Sequence, residues 1–364
     1  MRNGTKRKMR RWIGAVALSA TVGACVVYWP NAMAADKATS GVQTSTGHLL
    51  VDVTVTGADG KPVTGLSPFD FQIADNGRPE KLLAMQTGGL ALSGSKTPAE
   101  MVIVLDAVNC TWEKMQLERQ DVEEFLRRRG GRLPVPTRIV MLTDTQMTIP
   151  PHATEDGNAL AQYIQRTPNP VHSLRFQAGY YGEMDRAMWS MDQMNKLARF
   201  ESAQPGRKLV VWISPGWHPL SRDYLAMSKE DLQRDFELDE TLTDNLLMAR
   251  ITLDSIDPIL DLPGENLDYY QAFVKPVKKY EQVDTPDLML QVLARHTGGL
   301  VLNQSTDIQG EIEQAMGTLK SWYTLVYSPT KTSDPNAFHA ISVSLSNTPG
   351  AVVHAPIGYY ANPH

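Results

Sequence analysis

Between residues 49 and 55 the chain reads LLVDVTV, with Leu49, Val51, Val53 and Val55 alternating against Leu50, Asp52 and Thr54. A period of two predicts a strand with one buried face. Two short apolar stretches follow, near 71–74 and 81–85, joined through Asp75-Asn76-Gly77, a triplet suited to a tight hairpin. Ala58-Asp59-Gly60-Lys61-Pro62 predicts another turn, because Asp-Gly supplies a positive-φ position. Residues 87–99 are rich in Gly and Ser and mark a boundary.

From residue 101 the rhythm changes. MVIVLD (101–106) and KLVVWIS (208–214) are continuously apolar, as strands buried on both faces are. Further strands are expected at 138–142, 146–149, after ARITLDSI (249–256) and at 299–302. Helical spacing covers 111–129, 155–166, 182–200, 228–249, 286–296 and 307–320, with Gly130-Gly131 closing the first. This alternation predicts an α/β fold, a mainly parallel Rossmann-type sheet with helices on both faces. After 321 the pattern returns to all-β in WYTLVYSP, FHAISVSLS and AVVHAPIGYY. A small sheet needs a partner to bury one face. The two flanks are therefore expected to form one β-sandwich of about seven strands, with the α/β part inserted between them.

The expected organisation is a signal segment at 1–34, a small polar linker at 35–46, an N-terminal β segment at 47–90, an α/β domain at 100–320 and a C-terminal β segment at 321–362. Arg2, Lys6, Arg7, Lys8, Arg10 and Arg11 precede an uncharged apolar run at 12–29 and the small-x-small triplet Ala32-Met33-Ala34. That is the pattern of a secretory signal peptide, which implies an exported protein, periplasmic or extracellular. Left uncleaved, the same run is nearly long enough to anchor the chain in a membrane. Val22-Gly23-Ala24-Cys25 loosely fits a lipoprotein signal, against which the apolar residues 26–29 argue.

Cleavage after Ala34 would remove six of the 35 basic residues and none of the 40 acidic ones, for a net charge of about −11. Such a chain is repelled by phosphate backbones, which excludes nucleic acid as a partner class. Cys110 is then the one remaining thiol, so no internal disulfide is expected.

The middle segment resembles a von Willebrand factor type A (VWA) domain. VDVTVTGADGKPVTGLSPFDFQIADNGRPEKL (51–82), ARITLDSIDP (249–258), WYTLVYSP (322–329) and Ile357-Gly358-Tyr359-Tyr360 together resemble the secreted bacterial VWFA-related family known from acidobacteria. The resemblance spans about residues 48–361. It implies a metal site at the C-terminal strand ends, built from Asp-x-Ser-x-Ser, a Thr and a second Asp. Here Asp106 alone matches. Val108 and Cys110 replace the two Ser, Ala178-Gly179-Tyr180-Tyr181 replaces the Thr loop, and Pro215-Gly216 stands where the second Asp would be. Hard cations need those oxygens, so no metal or other cofactor is expected. Asp106 is expected instead to accept backbone N–H groups at the start of the next helix.

Trp112, Tyr180, Tyr181, Trp217 and His218, with Tyr269-Tyr270 from a long insertion, are expected to gather on the top face. Large aromatic rings carry much of interface energy, so the first expectation is a non-catalytic module holding a protein or peptide. A hydrolase using Asp106 with Cys110 or His218 is the enzymatic alternative, although GxSxG, HExxH, P-loop and GxGxxG motifs are absent. A structural envelope scaffold is the third reading. Met184, Met188, Met191 and Met194 fall at helical spacing, which suits a core more readily than a Cu(I) site.

Overall fold

The computed structural model describes residues 47–90, 98–168, 179–217, 227–258, 268–329 and 337–360. Four strands come first: β1 (Leu49–Thr56), β2 (Phe71–Asp75), β3 (Arg78–Glu80) and β4 (Leu82–Gly88). The α/β part follows as β5 (Ala99–Asp106), α1 (Trp112–Arg127), β6 (Arg132–Leu142), β7 (Met147–Thr148), β8 (Thr154–Asp156), α2 (Gly157–Arg166) and α3 (Gly179–Ser202). It continues through β9 (Arg207–Ile213), α4 (Lys229–Met248), β10 (Ile251–Ile256), α5 (Leu290–His296), β11 (Val301–Leu302) and α6 (Ile308–Gly317). The chain closes on β12 (Trp322–Tyr327), β13 (Phe338–Leu345), β14 (Val352–His354) and β15 (Gly358–Tyr360).

The central sheet runs β11-β10-β9-β5-β6-β7, with β8 also on β6. Its five longer-range partners β11, β10, β9, β5 and β6 are parallel, and β7 and β8 are antiparallel to β6. Numbered by appearance, the order is 3-2-1-4-5-6, the doubly wound arrangement whose switch point lies between β5 and β9. This is the mainly parallel, Rossmann-type sheet that strand–helix alternation predicts.

The reason is legible in β5. Met101, Ile103 and Leu105 pack with α1, α2 and α6 on one face, and Val102 and Val104 pack with α3, α4 and α5 on the other. From Met101 onward β5 is buried on both faces and carries no polar residue until its end, where Asp106 stands. α1 stops at Arg127, after which Arg129 and Gly130 adopt positive φ, and Gly131 packs against Asn158 with no room for a Cβ.

The two flanks form two four-stranded sheets, β14-β1-β12-β4 and β15-β13-β2-β3. Val51, Val53, Tyr323, Leu325, Phe71, Ile73 and Ile341 share one core between them. This is the sandwich expected from the sequence, with eight strands rather than about seven. The added strand corrects the hairpin expectation. Asn76 and Gly77, at φ of 49° and 75°, turn β2 back onto β3, and not onto the 81–85 stretch. At Lys81 the chain changes sheets, and β4 pairs with β12 instead.

The sandwich meets the α/β part through charge as well as apolar contact. Arg250, between α4 and β10, binds Asp52 of β1, and buried Arg207 of β9 reaches Thr54 of β1 and Thr252 of β10. Leu247 of α4 enters the sandwich core. Among the described residues, no helix is long and apolar enough to cross a membrane.

Candidate functional site

Asp106 ends β5 at the switch point and is fully buried. One carboxylate oxygen, Oδ1, accepts the backbone N–H groups of Val108 (2.9 Å) and Asn109 (3.2 Å). The other, Oδ2, accepts Asn109 Nδ2 (2.8 Å) and Trp212 Nε1 (3.0 Å). Two oxygens offer about four acceptor sites, and here four donors from the chain itself occupy them. The expectation that Asp106 orders the turn into α1 is thus met in its geometry, and the helix receives its own cap from Thr111, which accepts Lys114 N.

Two of these partners, Asn109 and Trp212, are marked only weakly in the sequence. Asn109 follows Asp106 by three residues, the spacing of a local side-chain turn. It also donates to Ser190 Oγ of α3 at 2.8 Å. Trp212 sits on β9 opposite Val104. A tryptophan one strand away and near the strand end was the available cue.

Val108 and Cys110, the positions at which the resemblance implied serines, point into the two cores. Val108 packs with the α3–α4 side and Cys110 with the α1–α6 side. The Cys110 thiol donates to the Asp106 carbonyl oxygen at 3.0 Å. Burial, then Glu118, then Asp106 push its pKa up, so the thiolate form is suppressed. Glu118, on α1, is an unexpected neighbour. It is 1% exposed, both its carboxylate oxygens lack a hydrogen-bond partner, and burial together with Asp106 and Asp257 pushes it well above the carboxylate range. On α6, Glu311 is pushed up to about 7 by burial, Asp257 and Asp307. Among the described residues, no three His, Cys, Asp or Glu side chains stand close enough together to hold a metal ion.

The expected aromatic face divides. Trp217 is a correction: it is 2% exposed, donates Nε1 to the Leu288 carbonyl (2.7 Å) and packs edge-on against Trp212 at 6.0 Å. Gly216 at φ 75° turns the chain inward there, where its own position is pressed against Leu290. Tyr270 is likewise buried, beside Met289 and Val292. Met191 and Met194 belong to the core and Met188 reaches the surface. The Tyr180 side chain and His218 lie outside the described residues, as do Cys25 and the whole signal segment.

Trp112 and Tyr181 remain at the surface, 54% and 78% exposed. Ser190 of α3 accepts from Asn109, and Tyr181 lies nine positions earlier, in the first turn of the same helix. Trp112 opens α1 and lines an open groove with Leu117, three glutamines (Gln116, Gln120, Gln165) and the charged Glu113, Arg119 and Glu123. Leu117 is 62% exposed and was not singled out from sequence. Its signal is its place off the stripe of Met115, Val122, Phe125 and Leu126 that α1 buries.

No family model matches the chain, and no curated protein does. Among solved structures the chain is similar to the human COPII-coat protein Sec24c, at TM-score 0.33 and 10% identity, covering 79% of this chain and 47% of that one. It is also similar to proximal thread matrix protein 1 from the mussel byssus, at TM-score 0.37 and 12% identity, covering 67% and 51%. The pilus adhesin SpaC from Lactobacillus rhamnosus GG matches at TM-score 0.32 and 11% identity, covering 88% and 50%. The chain thus spans about half the length of each of these proteins.

Proposed function

We propose that the protein is an exported, non-catalytic binding module of the VWFA-related type, which holds a protein or peptide without a metal. The observation that carries the reading is the saturated carboxylate of Asp106, with four internal donors where a cation or substrate would bind. On the outer side of α1, Trp112 and Leu117 line a groove whose wall carries Gln116, Gln120 and Gln165 together with Arg119, Glu113 and Glu123. An exposed ring and an exposed aliphatic chain flanked by polar and charged groups suit an apolar anchor with a polar rim. Export is supported by the basic start and the apolar run at 12–29.

The test is capture from an envelope extract by the chain after residue 34, compared across variants. Trp112→Ala with Leu117→Ala is expected to weaken capture at least tenfold, and EDTA to leave it unchanged. Loss of capture in EDTA, with the double variant unaffected, would overturn the proposal and favour a metal-dependent site.

A further inference from the structure

Among the described residues the two sandwich sheets end on β14, β3, β15 and β4, and the first three are short, charged or covered. β14 has three residues. β3 carries Arg78, Pro79 and Glu80, and proline and charge both discourage a further strand. β15 is covered by α4, whose Asp244 accepts the Tyr360 backbone N–H at 2.9 Å. The fourth edge is β4. It pairs with β12 on one side, and among the described residues nothing pairs with the other.

β4 is also open in composition. LLAMQTGGL, residues 82–90, contains no charge and no proline. One irregularity, at Leu83, interrupts the ladder; from Ala84 to Gly88 the register with β12 is regular. Exposed apolar side chains flank this edge: Leu83 (47%), Leu90 (43%) and Phe69 (91%), the last in the Pro68–Asp70 turn that lies against β4. A row of unpaired N–H and C=O groups selects an extended strand as its occupant, and the apolar flanks supply area beyond the backbone.

We infer that β4 is the contact strand of a two-fold homodimer, in which two copies join edge to edge into one antiparallel eight-stranded sheet centred on Met85. The occupant is a second copy because the strand suits itself. With Met85 on the axis, Ala84 faces Gln86 of the other copy, and Leu83 faces Thr87. No like charges meet, and the nearest charge, Lys81, lies at opposite ends in the two copies. The rest of the chain is acidic, with 40 Asp and Glu against 35 Lys and Arg. An uncharged strand is the patch on which two such chains approach without repulsion. The inference stands apart from the groove beside Trp112.

The test uses the full chain in sedimentation over a concentration series. Ala84 and Gln86 are both exposed, so lysine at either position leaves the fold intact, which an unchanged melting temperature verifies. The unaltered chain is expected to dimerise. Ala84→Lys with Gln86→Lys sets like charges opposite each other twice and should weaken the dimer roughly tenfold or more. Ala84→Lys with Gln86→Glu sets opposite charges at the same places and should restore it. A monomeric unaltered chain would overturn the inference, as would a dimer indifferent to both double variants.

Discussion

The Arg250 guanidinium meets the Asp52 carboxylate through two parallel hydrogen bonds, Nε to Oδ2 at 2.9 Å and Nη2 to Oδ1 at 2.7 Å. Thr324 of β12 donates to the same Oδ1 at 2.6 Å. Asp52 lies in the sandwich and Arg250 in the α/β part, so one ion pair ties the two together. Breaking a buried pair from one side leaves the other charge stranded, which costs about 3–5 kcal/mol. Asp52→Ala should lose that much in urea unfolding at pH 7. The double variant with Arg250→Ala should lose less than the sum of the two single changes.

The pH dependence follows from opposing groups. Burial alone would raise Asp52, but Arg250, Arg207 and Thr324 outweigh it and hold the carboxyl below its ordinary 3.8. Its contribution is present above about pH 4 and is lost as pH falls further. Asp239, Asp244 and Asp254 behave oppositely: burial, first of all, pushes each up to about 7. Folding favours their protonated forms, so that stability is full below about pH 4 and declines as pH rises through 7. The unfolding free energy should peak near pH 4 and fall toward pH 7. Asp239→Asn keeps an acceptor for the Tyr360 hydroxyl and removes the buried charge. It should raise stability at pH 8 by on the order of 2 kcal/mol and change little at pH 4. A flat profile between pH 5 and 8 would contradict this.

Glu118→Gln is a related case at the switch point. Both carboxylate oxygens are buried without a partner, and the amide carries no charge to desolvate. The substitution should leave stability at pH 7 unchanged or higher, measured by thermal melting. A loss of more than about 2 kcal/mol would point to an ion or water bridging Glu118 that stabilises the native state.

Asp106→Asn should destabilise, and millimolar Mg²⁺, Mn²⁺ or Ca²⁺ should not shift the melting temperature of the unaltered chain. An asparagine keeps one acceptor oxygen. The amide then faces Asn109 Nδ2 and Trp212 Nε1 with donors against donors. Each buried donor left without an acceptor costs about 1–3 kcal/mol. A metal-induced shift of several degrees that Asp106→Asn abolishes would reverse this assignment.

Trp217 and Trp112 should separate cleanly. Trp217→Ala empties a core position and should cost about 3–5 kcal/mol of stability. Trp112→Ala, at a half-exposed ring, should change stability by less than about 0.5 kcal/mol. Calorimetry on the two variants decides the point independently of any partner.

These two tryptophans also mark how far the sequence could be read. Continuous apolar runs such as 101–105 state their own burial, because nothing but two covered faces suits them. The fate of Asp106 was also legible, since Val108 and Cys110 supply no oxygen and the backbone N–H groups that follow are always present. Trp217 was not legible. Its indole N–H is satisfied by Leu288, 71 residues away, and no local pattern encodes that contact. The change of sheets at Lys81 was hidden for the same reason. β3 is three residues of turn-like composition, and only the distant β12 reveals where β4 belongs.

The register Leu49↔Tyr327 has a consequence in time. β1 ends at Thr56 and its partner β12 begins at Trp322. Translation at about 5–20 residues per second separates the two by tens of seconds. Through that interval β1 lacks both strands that pair with it, β12 and β14, while the intervening chain completes its own parallel sheet. Closing so long a loop from an open coil is entropically slow, but the folded α/β part brings its two ends to one side and shortens the search. Assembly of the sandwich is then the last step. Variants that slow β5–β9 docking should accumulate a β1-exposed species that chaperones bind, long before any loss of equilibrium stability is measurable.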